Sequence, residues 1–92
     1  MRAEDVLPDQ QNEVRLGDVL ARKGSVAAFL ANARVLADPA ADAEARAQAE
    51  RDTRELLPAL RALGLFDVLE IRDAGVRDWV RAHLAALPPK PL

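Results

Sequence analysis

Ninety-two residues leave room for one domain and not for two. Half of them are apolar, but the aromatics are Phe29, Phe66 and Trp79 alone, and much of the rest is alanine, which buries little area. A net charge of −2 with both signs interspersed argues against a duplex nucleic-acid partner, and the absence of cysteine excludes disulfides and thiolate metal sites.

Residues 1–13 are polar, contain Pro8 and show no apolar period, so they read as a flexible N-terminal arm. The segment that follows has two readings. In the first, Val14-Arg15-Leu16 and Val19-Leu20-Ala21 are short strands joined by Gly17-Asp18, a pair suited to a two-residue hairpin turn. Leu16 then faces Val19, and Val14 faces Ala21. In the second, the segment is a helix stopped at Gly24, but Gly17 in its middle would cost about 1 kcal/mol. The hairpin is the reading carried forward.

Gly24 breaks the chain, and Ser25 is a natural N-cap for a helix over 25–37. Val26, Phe29, Leu30, Ala33, Leu36 and Ala37 form one apolar arc of that helix. Ala27, Ala28, Ala31 and Val35 form a second, opposite arc, and only Asn32 and Arg34 interrupt the two. A helix apolar on nearly every side is expected at the centre of its domain. Either the chain's own second helix covers the alanine arc, or the arc is a seam for a second copy or another protein. Ala27, Ala28, Ala31 and Val35 are therefore the candidate partner-facing residues.

Asp38-Pro39 offers a cap and a first helical position for the next helix, which should run from Ala40 to Leu63. Asp42, Arg46, Glu50 and Arg54 alternate in sign at steps of four, as on a solvated helix face. Ala41, Ala45, Ala49 and Leu56 make a shallow inward stripe. Pro58 should bend the helix or force a restart, and Gly64 should stop it. Leu65 to Arg72 is short, bounded by Gly64 and Asp73 and rich in β-favouring residues, so it is expected as a strand, with Phe66 to Ile71 in a sheet. Asp73 then caps a last helix, Ala74 to Leu87, on which Val76, Trp79, Val80, His83, Leu84 and Leu87 form an apolar stripe. Residues 88–92 form a proline-rich tail of extended type.

The fold class that results is α/β (α+β): a single domain over 14–87 of order β-β-α-α-β-α, with a short three-stranded sheet. Helices 25–37 and 74–87 would cover the sheet, and helix 40–63 would lie outside.

Catalytic chemistry finds little to use. Ser25 is the one serine, Thr53 the one threonine and His83 the one histidine, and His83 sits on a packing stripe. A lone histidine with scattered carboxylates makes no metal cluster. Carboxylate pairs could be drawn from Asp67, Glu70 and Asp73, as from any charged loop. No enzyme activity, cofactor or metal is expected. With no signal-peptide pattern and no run of membrane-span length, the expected setting is cytoplasmic, without membrane or nucleic-acid partners.

Two resemblances add to this. Arg15-Leu16-Gly17, Leu20 and Gly24 resemble the opening of the N-terminal domain of type II secretion and pilus ATPases, a family that binds cyclic di-GMP. By that resemblance those five residues would grip a guanine. The expected glutamine is missing, the next leucine is out of register at Leu30, and there is no second motif copy. Across most of the chain, Arg22 to Phe29 and Gly64 to Val68 resemble segments of small bacterial proteins of unknown function, which carry no activity with them.

The function expected from the sequence is a non-enzymatic interaction or regulatory module that forms a homodimer or meets a protein partner. The alternative is a sensor of a cyclic dinucleotide or small anion, using Arg15, Arg22, Lys23 and the Gly17 turn.

Overall fold

The computed structural model describes residues 13–16, 19–22 and 24–89; of the first two segments it describes the backbone and the Arg15 side chain. Strands β1 (Glu13–Leu16) and β2 (Val19–Arg22) pair antiparallel, with Leu16 opposite Val19 and Val14 opposite Ala21. This is the register that a two-residue connection at 17–18 dictates. The ribbon ends there: from Gly24 to Pro89 the chain contains helices and no strand.

The expected three-stranded sheet, and with it the α/β class, is therefore incorrect. The protein is helical, with α1 (Ser25–Ala37), α2 (Ala43–Leu63), the single turn α3 (Leu65–Val68) and α4 (Ala74–Ala85). The segment read as a third strand is α3 followed by residues 69–71, which belong to no helix or strand. Its geometry explains the departure. Leu65 and Phe66 are adjacent, and both pack on the core. A strand would send neighbours to opposite faces, whereas a helical turn lets both point inward. Asp67 N–H donates to Gly64 O at 3.1 Å and Leu69 N–H to Leu65 O at 2.9 Å, which closes the turn. Packing outweighs the β preference of the residue types.

The core is a cluster of Phe29 from α1, Leu57 and Leu60 from α2, and Val76 and Val80 from α4. Phe66 meets Phe29 edge to face, with ring centroids 5.5 Å apart. The element at the centre is α2, not α1. It touches α1, α3, α4 and both strands. Its inward row is Ala49, Thr53, Leu57 and Leu60, all buried, whereas Ala45 of the expected stripe is exposed. The helix runs unbroken through Pro58, so no restart occurs. Gly64 ends it in the left-handed region at φ 83°, the conformation that glycine adopts without a Cβ penalty.

Two caps differ from expectation. Gly24, at φ 90°, is the N-cap of α1 and makes no side-chain cap bond, while Ser25 is the buried first residue of the helix. Asp42, not Asp38, caps α2, accepting from Ala45 N–H at 2.7 Å. Asp38 instead closes the turn between the helices, accepting from Ala40 N–H at 2.9 Å. Arg46 reaches back from α2 to the carbonyls of Leu36 and Asp38 at 2.9 and 2.8 Å, so the cation capping the C-terminus of α1 comes from its neighbour. Asp73 caps α4 as the sequence suggests, accepting from Val76 N–H at 2.9 Å.

Candidate functional site

The residues nominated from the sequence are not gathered into one place. On α1, Ala27, Ala28 and Ala31 are exposed and Val35 is half-buried. The three alanines of the arc stand uncovered by the described chain, so the reading in which α2 packs on them is incorrect. Arg15 is exposed on β1, Gly24 is the α1 cap, and Leu16 and Leu20 are described by their backbone alone. Gly17, Lys23 and residues 1–12 of the arm lie outside the described residues, as do residues 90–92 of the tail; Glu13, the last residue of the expected arm, is the first of β1.

The groups with nucleophilic or proton-transfer potential have structural settings. Thr53 is fully buried in α2, and Ser25 is buried at the start of α1. His83 is half-buried and stacks on Trp79 one turn earlier, ring centroids 4.0 Å apart. Its Nδ1 lies 2.8 Å from Trp79 O. A carbonyl only accepts, so Nδ1 carries the hydrogen. Among the described residues no group of three His, Cys, Asp or Glu side chains is placed to hold a metal ion. No helix among them is long and apolar enough to cross a membrane.

A different place carries more chemistry. Gly64 turns the chain, α3 gives it one helical turn, and residues 69–71, with Leu69 in extended geometry, lead to Asp73, which caps α4. Between that segment and α4 lies an open groove of about 200 Å³. Phe66, Ile71, Val80 and Leu84 give it an apolar floor, and Leu69 lies at its side. Arg77 and Arg81, one turn apart on α4, supply two guanidinium groups, and Glu70 a single carboxylate. Both arginines lean on the same oxygen, Oε1 of Glu70, from 3.8 Å for Arg77 and 3.4 Å for Arg81. Those distances exceed the roughly 2.7–2.9 Å of a charge-assisted hydrogen bond. Arg77 Nη1 also donates to Ile71 O at a long 3.4 Å, and its Nε is buried with no partner. The groove thus combines an apolar floor with loosely satisfied positive charge.

A second depression of similar volume lies between α2 and α4, beside Leu36, Arg46, Val76 and Trp79. There the guanidinium is already engaged by the two carbonyls at the end of α1.

Arg77 and Arg81 lie off the apolar stripe of α4 and are not among the residues nominated from the sequence. The signal that marks them is their spacing of four, with Glu70 just upstream of the helix, which puts all three at one edge once Asp73 fixes the start of α4. No protein-family model, curated protein or solved structure matches the chain, so the geometry of the site stands without a named relative.

Proposed function

We propose that the protein is a non-enzymatic interaction module that associates with a second copy of itself through its large exposed aliphatic side chains. The observation that supports this is their number and position. Val26 and Leu30 stand one turn apart on α1, and Leu63, Val68 and Leu69 surround α3; Leu30 is 53% exposed, Val68 83% and Leu69 60%. These five equal in number the residues of the central cluster. Single exposed aliphatics are ordinary, but Leu63, Val68 and Leu69 fall within seven residues of chain, and covering them against a partner would be favourable.

Full burial of one such side chain contributes roughly 1.5–3 kcal/mol, and association itself costs about 4–15 kcal/mol. A two-fold interface uses every residue twice, so burial of these side chains on both copies is of the size needed to offset that cost. This moves the seam away from Ala27, Ala28 and Ala31, whose methyl groups offer little area. The settings of Ser25, Thr53 and His83 favour a contact role over catalysis.

Sedimentation velocity over a concentration series tests the reading. A monomer–dimer shift in the micromolar range is expected, and Leu30→Glu together with Val68→Glu should abolish it while leaving the far-UV circular dichroism unchanged. A strict monomer up to high micromolar concentration would overturn the proposal.

A further inference from the structure

We infer that the groove between residues 69–71 and α4 is a binding site for a small amphiphilic monocarboxylate, a carboxylic acid with a short aliphatic chain. Three features of the groove specify that chemistry. Its floor is lined by the apolar side chains of Phe66, Ile71, Val80 and Leu84, so the buried part of the ligand is hydrocarbon. Its edge carries two guanidinium groups against one carboxylate, a local surplus of one positive charge that a monoanion balances. The donors are also underused. Arg77 and Arg81 share a single oxygen of Glu70 at long range, and the bond from Arg77 Nη1 to Ile71 O is also long at 3.4 Å. A carboxylate arriving at these terminal guanidinium nitrogens makes the short charge-assisted hydrogen bonds that Glu70 does not.

The size fits the same class. At about 200 Å³ the groove is smaller than the ~300–1,000 Å³ typical of sites for drug-sized molecules, so a fatty acid of medium length is near its upper limit. Glu70 sits where the ligand's head group belongs. Its side chain is 69% exposed, which leaves it free to swing into water as the incoming carboxylate takes Arg81 and Arg77. Glu70 therefore acts as an internal competitor, holding the arginines in place when the groove is empty and weakening binding by its own charge. The inference is independent of self-association, because Leu69 is the one residue shared with the exposed aliphatic patch.

Titration of the full chain with octanoate, followed by the backbone amide resonances of Ile71, Val80 and Leu84, tests this. Saturable shifts confined to those residues and their neighbours are expected, with octanamide and inorganic phosphate both binding about tenfold more weakly or worse, since each lacks one half of the recognition. Two surface variants supply the decisive signs. Arg81→Gln should weaken octanoate by about tenfold, while Glu70→Gln should strengthen it several-fold. Both side chains are mostly exposed, so both variants should fold, and their circular dichroism spectra check that. If the Glu70–arginine contacts are merely structural, both variants lose stability and neither changes the titration, and that overturns the inference. Equal binding of octanoate and octanamide, equal binding of phosphate, or no shift with octanoate at millimolar concentration overturns it as well. A dimer that fails to form leaves these outcomes unaffected, so the two proposals fail separately.

Discussion

Helices α1 and α2 reverse the roles that their compositions suggest. Between Ser25 and Ala37 only Asn32 and Arg34 break an otherwise apolar or small-residue helix, yet one side of it faces water. Between Ala43 and Leu63 nearly every turn carries charge, yet α2 touches every other element. The reason lies in area rather than in counts. An alanine methyl removes so little surface from water that nothing compels the chain to cover it, and alanine suits an exposed helix on backbone grounds alone. Four inward positions on α2, Ala49, Thr53, Leu57 and Leu60, fix the centre more firmly than the two arcs of α1.

The sharpest way to break that comparison is to remove a leucine from each helix. Leu60 is 0% exposed and sits in the core cluster, so Leu60→Ala should cost about 2–5 kcal/mol in urea unfolding, a large share of the stability of a domain this small. Leu30→Ala, at low protein concentration, should cost well under 1 kcal/mol, because its side chain is already half in water. Equal losses would show that α1 is as central as its composition implies.

Arg46 joins the two helices and gives the next effect. Its guanidinium donates to Leu36 O and Asp38 O, and hydrogen bonds from charged groups are worth about 1.5–3 kcal/mol. The site is partly open to water, so Arg46→Ala should lower the unfolding free energy by roughly 1.5 kcal/mol, the lower end of that range. Arg46→Lys should restore only part of it, because a point ammonium cannot span two carbonyls as a planar fork does. Full retention in the alanine variant would mean that the α1–α2 turn is fixed by Asp38 alone.

How much of this was legible beforehand follows the range of the interactions. Signals confined to a few residues read true: Gly64 stops a helix, Asp73 caps one, and Val76 with Val80 faces the core. The hairpin register followed from its two-residue connection. What failed needed knowledge of a distant partner. Residues 65–71 have strand-like composition, but Phe29 waiting 5.5 Å from Phe66 favours a helical turn instead. Arg46 looked like one rung in a ladder of alternating charge until the end of α1 lay beside it. The groove was hidden for the same reason, since Glu70, Arg77 and Arg81 become neighbours only when the segment before Asp73 lies beside α4.

Thr53 gives a smaller effect of opposite sign. It lies 0% exposed in the inward row of α2, and its Oγ1 has no hydrogen-bond partner. A buried hydroxyl left unpaired carries a desolvation cost, whereas valine keeps the branched shape and drops the polar atom. Thr53→Val should therefore raise the unfolding free energy by about 1 kcal/mol, read as a higher urea midpoint at unchanged slope. A loss instead would mean that the hydroxyl has an ordered water as its partner, and that the centre of α2 is wetter than its burial suggests.

The smallest effect bears most directly on the face of α1 that was first expected to carry a partner. Ala31 is exposed in the described structure, so Ala31→Glu should change the unfolding free energy by less than about 0.5 kcal/mol, as surface substitutions do. It should also leave the monomer–dimer equilibrium where it was, because the proposed contact uses the larger side chains Leu30 and Val68. A carboxylate placed in a closely packed alanine seam would meet a different fate, since an unpaired buried charge is costly enough to dissociate the interface. If Ala31→Glu yields a monomer while Val68→Glu does not, the contact lies on the alanine arc, and small area there is compensated by close backbone approach.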